Sequence, residues 1–350
     1  MKNYYRPFPY TQNENLYIDI LCKFLKKESW HPINFKFWNP ISVFRNRNNC
    51  KIITMHWPEG FWRSKTLLKC YVKAAWFIFI FFIAKLCGYK WVFYAHNIVP
   101  HYSVKSVFLE RIMRKFILRS FDLVLGVSLN TKNDLKLAFG TEGKKYELCM
   151  HGVYVDSYKI NISRDEFRKK FNIDQNTKII LVMNNQSKKR TNRQVNEIID
   201  SWLDLKNSYN VNLLVTGDKP KRMDDLIEKG NFYFIEGRIK DELLGDLFNS
   251  VDFLFLNYSH ITTSGMFFLS IAFDLPTIVP NLPFFKLQAN SKTTLFFNYH
   301  YPLKFQLNNI IQIIEDGWEP DLNEFILMRE KYNFEQSAKI NAKSFQSIIE

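Results

Sequence analysis

The sequence predicts an α/β protein of two parallel-sheet units facing each other across a cleft, and three observations carry that expectation. At 350 residues the chain is about twice the usual domain length. Short apolar runs alternate with helical stripes along the whole chain, which is the order that builds a parallel sheet. The alternation halts once, in a polar segment that carries a short helix at 164–171 and ends in the turn-rich 172–177 (NIDQNT), and then restarts. With 47% hydrophobic and 17% aromatic residues the chain is not disordered.

In the first half, 16–27 has apolar residues at 16, 17, 20, 21, 24 and 25, a helical stripe opened by the capping-type Asn15. Strands are expected at 51–55, 91–95, 123–127 and 146–150, each followed by a turn or a helix. In the second half they are expected at 178–183, 211–216, 232–235, 253–257 and 276–279, with helices at 194–205, 241–250 and 267–273 between them. A helical tail follows at 322–349. The domains are therefore placed at 1–160 and 178–330, with a linker at 161–177 and a terminal helix, 331–350, that packs back on the first domain.

Charge is distributed unevenly. Residues 1–150 hold 24 basic and 9 acidic groups (+15), whereas 151–350 hold 24 and 25 (−1). The first domain therefore asks for a polyanionic partner, nucleic acid or anionic lipid. Its longest apolar run, 74–84 (AAWFIFIFFIA), has 11 residues, short of the roughly 20 a bilayer-spanning helix needs. Two readings of that run stay open, a core helix and a helix lying in the lipid interface. Arg63, Lys65, Lys69 and Lys73 before it, the basic amphipathic segment 106–120 after it, and Trp57, Trp62, Trp76 and Trp91 around it are what a headgroup layer accepts. The five cysteines form no C-x-x-C pair, and the amino terminus carries no apolar leader, so a cytosolic compartment is expected.

Polar clusters fall where strands end. His56-Trp57-Pro58-Glu59 follows 51–55, His96-Asn97 with Pro100-His101 follows 91–95, and His151-Gly152 follows 146–150. Parallel strands bring their carboxyl ends to one edge, so these four histidines are expected to converge there. Lys188, Lys189, Arg190 and Arg193 similarly follow 178–183, and Thr263, Ser264 and Gly265 precede the helix at 267–273. That last trio reads either as a simple helix cap or as hydroxyls and N–H groups offered to a diphosphate or a sugar hydroxyl.

The ordered set HWPE, HN-x-x-PH, HG-x-Y, D-FLFLNY and TSG resembles the bacterial glycosyltransferases of the GT-B fold, in particular the group-1 (family 4-like) branch that builds surface polysaccharides. The resemblance covers about residues 10 to 290. It implies two Rossmann-like domains, an acceptor domain first and a nucleotide-sugar donor domain second. It puts Arg190 and Arg193 on the donor pyrophosphate, with Lys188 and Lys189 able to substitute. Thr263, Ser264, Gly265, Gly217, His151 and Gly152 complete the donor set, and His96 stands near the transferred sugar. The chain departs from the family at Ile261 and Leu269, where relatives carry a pair of glutamates.

If the reaction inverts the anomeric centre, Glu59, His56 or His101 is the candidate base; if it retains, which the resemblance favours, the leaving phosphate takes the proton. No D-x-D pair suggests Mg²⁺, so neither metal nor other cofactor is expected beyond the nucleotide sugar itself. The expected partners are that sugar, a polyprenyl-diphosphate-linked glycan in O-antigen or capsule synthesis, and the anionic inner face of the plasma membrane. The rival readings are a transferase-like scaffold without catalysis and a basic nucleic-acid-binding protein, although no nucleic-acid motif is present.

Overall fold

The computed structural model describes residues 2–10, 16–98, 105–184, 189–205 and 209–350, with 189–194 described by backbone alone. Two compact units result: Met1–Gly152 together with Tyr332–Glu350, and Val153–Lys331.

In unit 1 the chain runs β1 (Asn3–Phe8), α1 (Tyr17–Lys27), β2 (Trp30–Pro32), α2 (Pro40–Asn46), β3 (Ile52–Met55), α3 (Glu59–Trp62), α4 (Leu67–Leu86), β4 (Lys90–Ala95), α5 (Val107–Ser120), β5 (Leu123–Gly126), α6 (Thr131–Phe139) and β6 (Tyr146–Leu148). Unit 2 follows with α7 (Arg164–Lys170), β7 (Lys178–Asn184), α8 (Lys189–Leu203), β8 (Val211–Gly217), α9 (Met223–Lys229), β9 (Phe232–Glu236), α10 (Asp241–Ser250), β10 (Phe253–Phe255), α11 (Gly265–Ala272), β11 (Thr277–Pro280), α12 (Pro283–Gln288), β12 (Thr294–Phe297), α13 (Leu303–Glu315) and α14 (Leu322–Lys331). The last helix, α15 (Phe334–Ile349), returns to unit 1.

Each unit holds one six-stranded parallel sheet, ordered β2-β1-β3-β4-β5-β6 and β12-β11-β10-β7-β8-β9. Both are doubly wound. Their switch points, where strand order reverses, lie between β1 and β3 and between β7 and β10, and ligands of such sheets bind outside the carboxyl ends there.

β1 is a strand that sequence patterning misses, because Arg6 and Pro7 break its apolar run. The fold tolerates Arg6 in the interior by giving its guanidinium backbone acceptors: Nε donates to the Phe35 carbonyl at 2.9 Å, and Nη1 to that of Pro7. One face of this sheet carries α2, α4, α5 and α6. There Phe77, Ile80, Phe81 and Ala84 of α4 pack into the cluster formed by Trp91, Phe93 and Ile53. The opposite face receives α15, whose Phe345 lies 5.7 Å from the Tyr5 ring and 5.2 Å from Trp30.

Three expectations need correction. Helix α4 is 20 residues long, not the 11 of its unbroken apolar run, because Thr66 caps it by accepting from Lys69 N and the helix continues through Lys69 and Lys73. By length and composition alone it is long enough to cross a membrane. Secondly, 161–177 is no free linker. Ser163 caps α7 in a reciprocal capping box with Glu166, and Arg168 is inserted beneath α10. Its Nε donates to Ser250 O at 2.9 Å, its Nη1 to the carbonyls of Asp174, Gln175 and Thr177, and its Nη2 to Asp252 Oδ2 at 2.9 Å. Asp252 also accepts from Arg164 and from Ile179 N at 2.7 Å, so a single carboxylate fastens α7 to the start of β7. The tail expected at 322–349 is likewise two helices, divided at Asn333, which caps α15 through Glu335 N.

Removing one member of a buried ion pair strands the other. Asp252→Ala is expected to destabilise the protein by about 3–5 kcal/mol, read as a lower urea midpoint; an unchanged midpoint would show that Arg168 is held by its carbonyls alone.

Candidate active site

At the carboxyl edge of the first sheet, three of the four predicted histidines meet. His56 follows β3, His96 follows β4, and the register of those parallel neighbours sets them side by side. His56 Nδ1 and His96 Nε2 are 3.0 Å apart, one donating to the other. Aromatic rings enclose the pair. Tyr94 stacks on His56 at 4.0 Å, Trp57 stacks on His96 at 4.7 Å, and the Tyr17 ring meets His96 edge-on at 4.8 Å. His151 also lies against Tyr17, 4.5 Å away, and 6.5 Å from the His96 ring, its Nδ1 2.8 Å from the Gly152 carbonyl oxygen. His101 lies outside the described residues.

Burial among these rings disfavours the imidazolium form. It lowers the pKa of His56 to about 3 and that of His151 to about 4. His96 is pushed well below the ordinary value, first by desolvation and then by its two histidine neighbours. All three are neutral at physiological pH, able to donate or accept a hydrogen bond but poor proton acceptors. This corrects the base role expected for His56. Glu59 is corrected for a different reason: its Oε2 receives Arg114 Nη2 at 2.6 Å, while Glu110 takes Arg114 Nε and Trp62 Nε1 at 2.9 Å each. The carboxylate is a buried ion-pair partner under α3 and α5.

The terminal helix completes this cluster. Phe334 packs 5.6 Å from Tyr17, and a β-carbon on Gly152 would stand 2.3 Å from its ring, which explains a glycine there. His151 and Gly152, expected among the donor contacts, thus belong to unit 1. Deeper in, Asn341 takes the Tyr94 hydroxyl on Oδ1 and donates through Nδ2 to Cys149 Sγ at 2.7 Å, so α15 also fixes the ring on which His56 stacks.

In unit 2 the switch point gathers Asn184, at the end of β7, and the segment 256–265 after β10. Gly217 ends the neighbouring β8 with φ +110°, and a β-carbon there would stand 1.7 Å from the Asn184 carbonyl oxygen. Its presence is thus explained by this close approach. Asn184 Nδ2 donates to Asp218 O at 3.1 Å, while its buried Oδ1 has no partner among the described residues. Ser264 caps α11 by accepting from Phe267 N at 3.2 Å, and the Tyr258 hydroxyl is 3.4 Å from its Oγ. Thr263 Oγ1 is buried with no partner among the described residues. Gly265 opens the helix, with the Tyr154 hydroxyl 3.4 Å from where a β-carbon would project. Ile261 and Leu269 are buried in apolar packing, so no carboxylate stands at either place.

The cationic segment divides. Lys188 lies outside the described residues, and α8 begins at Lys189, earlier than the sequence suggests, so Lys189, Arg190 and Arg193 occupy its first turns and not a loop. The side chains of these three also lie outside what is described. Sequence reading missed Tyr17, Tyr94, Tyr258 and Asn184; of these only Asn184, closing an apolar run just before the cationic segment, carried a positional signal.

In the unfolded chain the imidazoles protonate near 6.5, in the folded one near 3 for His56 and near 4 for His151. Between those values the unfolded chain binds more protons, so stability is full above about 6.5 and declines as pH falls toward 4 and then 3. Calorimetry is expected to show Tm falling from pH 7 to pH 5, with a shallower slope in His151→Gln. Assigned imidazole NMR signals of His56, His96 or His151 that titrate near 6.5 in the folded protein would overturn the neutral assignment.

No protein-family model matches the chain, and no curated protein matches it by sequence. Solved structures do match. Sucrose-phosphate synthase from Thermosynechococcus elongatus is 13% identical, with 99% of each chain covered and a TM-score of 0.72. A glycosyltransferase from Rickettsia africae is 14% identical over 100% of this chain and 99% of its own, at 0.67. Anabaena Alr3699/HepE in complex with UDP-glucose is 12% identical over 99% of this chain and 100% of its own, at 0.69. What likeness at such low identity establishes is architecture: two Rossmann-like domains in succession, the GT-B fold.

Proposed function

We propose that the protein is a glycosyltransferase that moves a sugar from a nucleotide-diphosphate sugar onto a lipid-linked oligosaccharide, in O-antigen or capsule synthesis on the inner face of the plasma membrane. The observation that carries the donor half is the switch point of unit 2. An Asn184 oxygen and a Thr263 hydroxyl that have no partner among the described residues, together with the amino termini of α8 and α11, belong to the strand ends where doubly wound sheets bind nucleotides. Full-length similarity to a structure holding UDP-glucose supports the same reading.

Helix α8 adds an electrostatic argument. A helix amino terminus is already positive, and its first turn has no acidic residue but does have Lys189 and Arg190, with Arg193 just beyond. Such an arrangement is unfavourable until an anion arrives. A diphosphate is that anion, and cations fixed around it stabilise the charge that grows as it departs.

Unit 1 supplies neutral hydrogen-bonding groups around His96. Its described acid and base candidates, His56, His96 and Glu59, are either held neutral or ion-paired. That favours retention: the bond from C1 to the diphosphate oxygen breaks, the acceptor oxygen bonds to C1 on the same face, and its proton passes to the departing diphosphate. The reaction is proposed to need no metal. Buried Ile261 and Leu269 favour a second reading, a scaffold without catalysis, which the assays below separate from the first.

A thermal-shift series with UDP, GDP, dTDP and CMP compounds is expected to show one nucleotide raising Tm. Arg190→Ala and Arg193→Ala are each expected to weaken that binding about tenfold; unchanged affinity would remove the diphosphate-clamp assignment. Thr263→Val separates ligand contact from structure. It removes a buried hydroxyl that has no partner among the described residues, so Tm holds or rises by the equivalent of about 1 kcal/mol while nucleotide binding weakens. Nucleotide binding without hydrolysis or transfer would favour the scaffold.

A further inference from the structure

We propose that the outward faces of α2, α4 and α5 form one docking surface for an anionic lipid bilayer, with α4 lying flat in the headgroup layer. The proposal deepens the lipid-linked-acceptor reading by naming the surface that meets lipid, yet it stands on observations of its own.

The first observation is that α4 is apolar on two opposite faces. Cys70, Ala74, Phe77, Phe81 and Ala84 are buried in the core of unit 1. Leu68, Val72, Trp76, Phe79, Phe82 and Leu86 recur at three- and four-residue intervals on the far side and are exposed, Leu68 at 74% and Phe82 at 55%. A solvated helix carries polar residues there. The stripe also continues onto its neighbours. Trp76 Nε1 donates to the Trp38 carbonyl at 3.1 Å, beside α2 with its exposed Ile41 and Phe44. The Tyr71 hydroxyl lies 3.4 Å from Ser106 Oγ, the cap of α5, where Val107 and Phe108 are exposed.

The second observation selects the occupant. Between residues 33 and 121 there are fifteen Lys and Arg but only two carboxylates, Glu59 and Glu110. Both are buried against Arg114. No described residue in this span therefore presents an exposed carboxylate, while Lys65, Lys69, Lys73, Arg111 and Arg119 flank the apolar stripe and are exposed. Aromatic rings bordered by cations suit a lipid interface with anionic headgroups. A second copy of the same face would bring like charges together, and a nucleic-acid groove has no use for a row of exposed leucine and phenylalanine.

The buried stripe fixes the orientation. Crossing the bilayer would strip Phe77 and Phe81 from Trp91, now 5.9 and 5.3 Å from their rings. Helix α4, about 30 Å long, therefore meets lipid along its side.

Flotation of the full chain with phosphatidylglycerol/phosphatidylcholine vesicles at 0.1 M salt, without donor or acceptor, tests this. Binding is expected to the anionic vesicles, to be much weaker with phosphatidylcholine alone, and to fall at least tenfold as salt rises to 0.5 M. Brominated lipids should quench tryptophan emission, and Trp76→Phe should remove most of that quenching. Phe79→Asp with Phe82→Asp is expected to abolish binding at unchanged Tm. If that pair fails to fold, Arg111→Gln with Lys115→Gln carries the test, with about 25-fold weaker binding and a shallower salt dependence. Equal binding to neutral vesicles, no binding to either, or light scattering that shows a dimer lost in Phe79→Asp without vesicle binding would each overturn the proposal. Nucleotide thermal shifts are read separately, so its failure leaves the transferase reading standing.

Discussion

Parallel pairing is the constraint on which both sites depend. Antiparallel strands would scatter their carboxyl ends over two edges; here every strand delivers its last residue to one edge, so residues 40 positions apart, His56 and His96, come within hydrogen-bond distance. Reversal of strand order then opens a gap between neighbouring crossover helices. In unit 1 that gap lies beside β3, where His56 emerges. In unit 2 it lies between β7 and β10, where Asn184 and the Thr263 segment emerge.

The two edges are chemically opposite. Unit 1 surrounds its histidines with Tyr17, Tyr94 and Trp57 and so keeps them uncharged, whereas unit 2 concentrates helix amino termini and cationic residues. An uncharged edge suits hydrogen bonds to sugar hydroxyls, which do not disturb proton balance, and a positive one suits phosphate. The corrections to His56 and Glu59 follow from the same physics: low dielectric neutralises an imidazole but retains a carboxylate as an ion only when a guanidinium lies against it.

Much of the fold was legible because strands such as β4, β7 and β10 carry continuous apolar runs. β1 was not, since Arg6 and Pro7 interrupt it and one of the two carbonyls that make Arg6 tolerable comes from Phe35, 29 residues away. The convergence of three histidines was legible from strand order, but the fate of Glu59 depended on Arg114, 55 positions downstream, which no local pattern reveals. The length of α4 was obscured by a similar limit: its lysines sit on a flank of the helix and break the run in sequence without breaking the stripe. Expecting a linker at 161–177 failed because turn-rich composition says nothing about a long-range partner such as Asp252.

The return of α15 also bears on how the molecule is made. A nascent chain that has reached Lys331 contains all of unit 2, but unit 1 still lacks Phe334 over Tyr17, Asn341 beneath Tyr94 and Phe345 against Trp30. Unit 1 is thus begun before unit 2 and closed after it, its aromatic interior waiting on residues 332–350.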